Sequence, residues 1–237
     1  MRHPHTKPEV AVALDFTKRD LLFSWINQFE GLDITLKIGL GILPEMDFHD
    51  FKALKALGFK IFIDAKLHDI PTQVQRSVAK WIEAGADFLT LHCMGGRQMM
   101  EMACELEAQS SIRLLGVTVL TSHSDTAVNE IGFKSTVEDS VISLMKLGVS
   151  SGLKSFVCSA HEIEKIRAES ALMKKDLYLV TPGLVFDENE KRDDQRRVMT
   201  VFEAIAKGSN MLVIGRSLIK SKNPRLQIEN LFRQMRD

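Results

Sequence analysis

Ile61-Phe62-Ile63-Asp64-Ala65-Lys66 is a short run of β-branched and aromatic residues that ends in two charges, two positions apart. Side chains of a strand alternate between its faces. The odd positions are apolar and are expected to face helices, which sends Asp64 and Lys66 to the opposite side, near the end of the strand. Runs of the same kind recur at Val10–Asp15, Ile34–Gly39, Lys60–Lys66, Phe88–His92, Leu114–Leu120, Ser155–Cys158, Tyr178–Thr181 and Met211–Arg216. Between them lie amphipathic stretches at Asp20–Glu30, Asp47–Leu57, Gln73–Ala84, Arg97–Glu107, Val137–Leu147, His161–Ala168, Val201–Lys207 and Arg225–Arg236. Eight strands alternating with eight helices predict an α/β chain closed as a (β/α)8, or TIM, barrel. The 237 residues suit one such domain, which runs to about 250. Residues 1–237 are therefore read as a single domain, with 1–8 expected as a flexible tail. A doubly wound open sheet is the alternative; it usually has fewer strands and a Gly-rich turn after the first. Here Leu14-Asp15-Phe16-Thr17 stands at that point, without Gly-x-Gly.

The remaining bulk properties exclude classes. Lys plus Arg number 31 and Asp plus Glu 31, so no net charge points to nucleic acid or an anionic membrane. No run approaches the roughly 20 apolar residues of a membrane span. Met1 to Lys7 carries His, Pro and charge without an apolar signal core, which leads to the expectation of a cytoplasmic protein. Cys93, Cys104 and Cys158 are odd in number and lack Cys-x-x-Cys spacing. They read as small buried thiols rather than disulfides or zinc ligands.

The other strands extend the parity argument. In the second run Thr35, Lys37 and Gly39 oppose the apolar Ile34, Leu36 and Ile38; the first run ends in Asp15, and the fourth brings Thr90 and His92 to the same side as Asp64. Asp15, Lys37, Asp64 and Lys66 thus converge on one barrel mouth, with Asp69 in the loop beyond. Interior charge is costly unless paired, and alternating lysines and aspartates meet that condition. A salt-bridge network that only fixes the fold is the plain reading. Its weakness is position, because the C-terminal strand ends are where barrel active sites lie. Two long insertions, Thr121–Thr136 and the charge-rich Pro182–Thr200, follow strand ends on that same face and read as lids.

Asp64-Ala65-Lys66-Leu67-His68-Asp69-Ile70-Pro71 resembles the Asp-x-Lys-x-x-Asp signature of the orotidine 5′-monophosphate decarboxylase family. Val12-Ala13-Leu14-Asp15, Leu36-Lys37-Ile38-Gly39, His92-Cys93-Met94-Gly95-Gly96, Val117-Thr118-Val119-Leu120-Thr121-Ser122, Thr181-Pro182-Gly183, Asp194-Gln195-Arg196-Arg197 and Val213-Ile214-Gly215-Arg216-Ser217 resemble the family's other segments in order. The resemblance covers roughly residues 10–234. It implies conversion of orotidine 5′-monophosphate to UMP with no cofactor and no metal. It makes Lys66 the proton donor to C6 and sets Asp64 against the departing carboxylate. It gives Lys37 to the ribose and to Asp64, Asp15 to a ribose hydroxyl, Thr121 and Ser122 to the base, Gln195 to a lid bridging base and phosphate, and Gly215 and Arg216 to the phosphate. Asp69 and Ile70 would enter the neighbouring subunit's site, so a homodimer with shared sites is implied. The chain departs from the family twice. Val185 stands where many members have an Arg, and Gln73 where they have Thr; Gln73 still offers a hydrogen bond to the substrate.

Three other chemistries share some of these residue types. A Mg²⁺-dependent sugar-phosphate decarboxylase or hexulose-phosphate synthase of the same superfamily resembles the signature too, but binds metal partly through a Glu on the second strand, where this chain has Lys37. Zinc binding by His68, His92, Asp64 and Asp69 has suitable ligand types, yet lysines intervene; both histidines are expected to be hydrogen-bonded and structural, and His123 solvated. A Schiff-base mechanism would need Lys66 neutral, and flanking aspartates oppose that.

Overall fold

The computed structural model describes residues 7–187 and 199–236. Its strands are β1 (Glu9–Leu14), β2 (Thr35–Gly39), β3 (Lys60–Leu67), β4 (Phe88–His92), β5 (Arg113–Val117), β6 (Ser155–Val157), β7 (Tyr178–Val185), β8 (Met199–Thr200) and β9 (Met211–Ile214). All pairings are parallel, and the β6–β7 pair closes β1–β7 and β9 into a ring of eight. The two-residue β8 only extends the edge of β7. Register can be followed round the ring: Ala11 pairs through Thr35 to Lys60, Phe62 through Phe88 to Arg113, Gly116 through Phe156 to Leu179, and Val180 through Met211 to Glu9. The path climbs two residues on β3, three on β5 and one on β7, and lands two below its start. That stagger of eight is the shear of a TIM barrel.

Parity sorts the core into two layers. Ile61 and Ile63 belong to the large layer between sheet and helices, and so do Leu36, Ile38 and Leu89. Ala11, Ala13, Phe62, Phe88, Leu115, Val180, Met211 and Val213 fill the barrel interior. Small residues on β1 leave room for the Phe62 and Phe88 rings, whose centroids are 6.0 Å apart. Each such side chain, fully buried, contributes about 1.5–3 kcal/mol. The N-terminal end is closed by polar groups: Glu9 accepts from Lys60 Nζ at 2.7 Å and from the Tyr178 hydroxyl at 2.8 Å, and the Arg113 guanidinium lies 4.3 Å over the Tyr178 ring. The C-terminal end stays open.

Several boundaries differ from expectation. β5 stops at Val117, and the insertion after it contains a helix, Asp125–Glu130, capped by Ser124. β7 runs four residues past Thr181, because Leu184 and Val185 pair with Met199 and Thr200. β9 ends at Ile214, and Arg216 opens a short helix, Arg216–Ile219. Of the expected tail, residues 1–6 lie outside the described residues, while the Lys7 ammonium sits 4.6 Å over the Phe232 ring. Among the described residues, no helix is long and apolar enough to cross a membrane. The three cysteines carry free thiols, and burial pushes those of Cys93 and Cys104 up to about 12.

Candidate active site

The inward face of β1–β4 builds the mouth. Lys37 on β2 donates to Asp64 Oδ2 at 3.1 Å, and Lys66 on β3 donates to Asp64 Oδ1 at 2.8 Å. Asp15, just beyond β1, lies 4.0 Å from Lys37 Nζ. The expected alternation of charge is therefore present as one chain of contacts. Side-chain exposure is lowest in the middle of the chain and higher at both ends: 56% for Asp15, 11% for Lys37, 14% for Asp64 and 32% for Lys66. The carboxylate of Asp64 is enclosed, and the Lys66 ammonium is open on one side. Burial works against the charged form of Asp64. The attraction of Lys37 and Lys66, with their hydrogen bonds, outweighs burial and holds its pKa below the usual carboxylate range.

Lys66 reaches this place through an irregular backbone. β3 pairs with β4 at Ile63–Leu89 and again at Leu67–Leu91, so four steps on β3 match two on β4. Within this bulge Lys66 has φ 47°, the left-handed region that L-residues avoid. The Thr90 hydroxyl, buried on β4, accepts from the Lys66 backbone N–H at 2.8 Å and donates to Asp64 Oδ1 at 3.1 Å. Strand parity predicts Thr90 on this side but not its double role, because an alternating pattern does not reveal a bulge.

These groups border a cavity of about 160 Å³. Lys37, Asp64 and Lys66 form one wall, and Phe62, Val117, Val119, Leu120, Val157, Val180, Pro182 and Val213 form the rest, with Thr121 at the rim. A flat ring carrying charge on one edge matches a slot that is apolar on its faces and ionic along one side. Two larger cavities, about 430 and 370 Å³, lie at the opposite end among Lys7, Glu9, Arg113 and Tyr178. In barrels that end serves stability, so chemistry and not size identifies the site.

The other candidates divide. Gly215 is next to Asp15: a Cβ there would lie 3.7 Å from Asp15 Oδ2, and Arg216 follows at once. Asp69 is not drawn into the ion-pair chain; it is exposed and accepts from the N–H of Ile70 at 2.6 Å. Ile70, Gln73 and Ser122 are also exposed. Gln195 lies outside the described residues. Val185 is fully buried in β7 and cannot stand in for an arginine. The histidines correct two expectations. The rings of His68 and His92 are 5.5 Å apart, but the buried Nδ1 of His92 has no hydrogen-bond partner among the described residues. His123 is half-buried rather than solvated, and its Nδ1 is likewise buried and unpartnered. His92 ends β4 and His123 lies in the loop after β5, near enough to His92 for its charge to act on it. Burial first, then the charges of His68 and Lys66, hold His92 below the usual imidazole value, against the pull of Asp64.

Fold and site together define a TIM-barrel protein with a paired lysine–carboxylate centre at its open end. Residues 8–231 match the model of the orotidine 5′-phosphate decarboxylase / HUMPS family, and the chain belongs to that family. It is 38% identical over 223 residues to the orotidine 5′-phosphate decarboxylase of Neisseria meningitidis serogroup A, covering 93% of this chain and 89% of that protein. Identity to the enzyme of the same name from Tolumonas auensis is 36%, covering 92% and 94%. The crystal structure of orotidine 5′-phosphate decarboxylase from Lactobacillus acidophilus superposes with a TM-score of 0.83 at 29% identity, over 98% of this chain and all of that one.

Proposed function

We infer that this protein decarboxylates orotidine 5′-monophosphate to UMP, the reaction of the relatives it matches. The observation that carries the reading is Asp64 held between the Lys37 and Lys66 ammonium groups at the edge of an apolar slot. Loss of CO2 from C6 leaves an electron pair in the ring plane with little delocalisation. The pyrimidine lies in the slot with C6 toward Lys66. Its carboxylate then faces Asp64. At about 4 Å and an effective dielectric near 20, that like-charge contact is worth roughly 4 kcal/mol of repulsion, relieved as CO2 departs. The Lys66 ammonium stabilises the developing carbanion and gives it a proton, forming the C6–H bond. Lys37 and Asp15 take the ribose, Thr121 and Ser122 the base, and Gly215 and Arg216 the phosphate, for which a guanidinium fork is well suited. Gln195, which lies outside the described residues, is assigned to bridge base and phosphate. Binding the remote phosphate supplies energy that is realised in the transition state.

Asp69 and Ile70 act in the site of a second subunit, and Gln73 hydrogen-bonds the substrate. Support comes from their exposure and from the apolar surface around them: Leu40, Ile70 and Met94 are 62%, 61% and 40% exposed, and leave the ends of the neighbouring strands β2, β3 and β4. A homodimer buries that surface and completes each mouth with a second carboxylate.

The test is release of CO2 on mixing the protein with orotidine 5′-monophosphate. The Lys66→Ala variant is expected to lose at least about 10³-fold in turnover while still binding UMP. Wild-type turnover in Lys66→Ala removes that lysine from the mechanism.

A further inference from the structure

Lys66 is one of two non-glycine residues with positive φ among the described residues, and the other, Lys174, is remote from the mouth at the end of a helix. A left-handed lysine costs about 1–2 kcal/mol, so something local must hold it. The bulge contains Asp64, Ala65 and Lys66, and these three residues have no paired counterpart on β4. The backbone N–H of Lys66 is thereby released from the ladder. Thr90 Oγ1 takes it at 2.8 Å. The same oxygen has one proton to give, and Asp64 Oδ1 at 3.1 Å is nearer than the Ile63 carbonyl at 3.5 Å. Asp64 Oδ1 in turn accepts from Lys66 Nζ. One buried hydroxyl therefore holds both ends of Lys66, the backbone directly and the ammonium through the carboxylate.

We propose that Thr90 is the positioning residue of this site. Its hydroxyl sets the left-handed turn at Lys66 and with it the point from which the ammonium delivers a proton to C6. This rests on the decarboxylase reading above. Thr90 itself does not face the cavity lining, so its loss acts on turnover and not on the binding of product.

Thr90→Val keeps the shape and removes the hydroxyl. The expected result is a fall in kcat between about tenfold and a hundredfold, the scale of a displacement near 1 Å. KM and UMP affinity are expected within about threefold of wild type. Thr90→Ser restores the hydroxyl and is expected to return kcat to within about threefold of wild type. Hydrogen exchange of the Lys66 amide is read in parallel: slow in wild type and Thr90→Ser, fast in Thr90→Val. A Thr90→Val enzyme within twofold of wild type, or a Thr90→Ser enzyme as impaired as Thr90→Val, overturns the proposal. Should Thr90→Val fail to fold, Thr90→Ala is judged by the same two readouts. A wild-type chain that releases no CO2 defeats the decarboxylase reading alone; the exchange of the Lys66 amide then decides the role of Thr90, and equal exchange in all variants overturns it.

Discussion

At Asp64, three donors meet one enclosed carboxylate: Lys37, Lys66 and Thr90. The group is kept charged by its neighbours, not by solvent, and so removing either lysine would leave a buried charge uncompensated. His92 is the opposite case. It stands among the cationic Lys66, the imidazoles of His68 and His123, and Asp64, and burial together with like charge favours its neutral form. Its folded pKa therefore lies below the unfolded value of about 6.5. The stabilisation is complete above that value, where both states are neutral, and declines as pH falls from there through the folded pKa, because the unfolded chain takes up the proton first. Urea midpoints measured from pH 7.5 to pH 5 are expected to drop less steeply for His92→Phe than for wild type. Identical slopes would mean that His92 carries no such strain.

Strands and helices show where the amino-acid order is informative. Alternation placed Lys37 and Thr90 inward correctly because β2 and β4 are regular, and Asp64 because it still pairs in unbroken register with Gly39 of β2; parity holds wherever the pleat does. Beyond Asp64 it holds only by coincidence: the bulge against β4 adds two residues, an even number, so Lys66 stays on the inner side. The insertion after β7 is shorter than expected for a reason invisible in local pattern, since Leu184 and Val185 find partners in Met199 and Thr200, each fifteen positions away. Capping, by contrast, is local. Asp47 accepts from the N–H groups of His49 and Asp50, and the Asp50 carboxylate accepts from the Asp47 N–H, a reciprocal box at the start of the helix Phe48–Ala56. Asp47→Ala is expected to cost about 1 kcal/mol, a fall of about 2–4 °C in Tm for a chain of this size. CO2 release per folded molecule should stay unchanged, since this helix start holds none of the mouth residues. A loss of turnover without loss of stability would contradict that separation.

For the whole molecule, the barrel explains why four charges from three strands share one place. A stagger of eight brings residues of neighbouring strands to the same height, so the inward ends of β1, β2 and β3 form a ring at the open end while Glu9, Lys60, Arg113 and Tyr178 seal the other. One element stays outside that ring: the loop from His68 to Ile70, whose carboxylate at Asp69 makes no contact with Lys66 within the chain. If that loop serves a partner, each mouth takes Lys66 from one subunit and Asp69 from the other. Lys66→Ala and Asp69→Asn are each expected to be nearly inactive alone. Co-expressed, random pairing makes half the dimers mixed, and every mixed dimer of this two-fold kind has one mouth with both groups intact. Turnover should then recover to about a quarter of wild type, with the recovered activity confined to the mixed species when the two variants are separately tagged. Mixed dimers that remain as inactive as their parents would show that Asp69 works within its own subunit or not at all, and the exposed Leu40, Ile70 and Met94 would need another explanation.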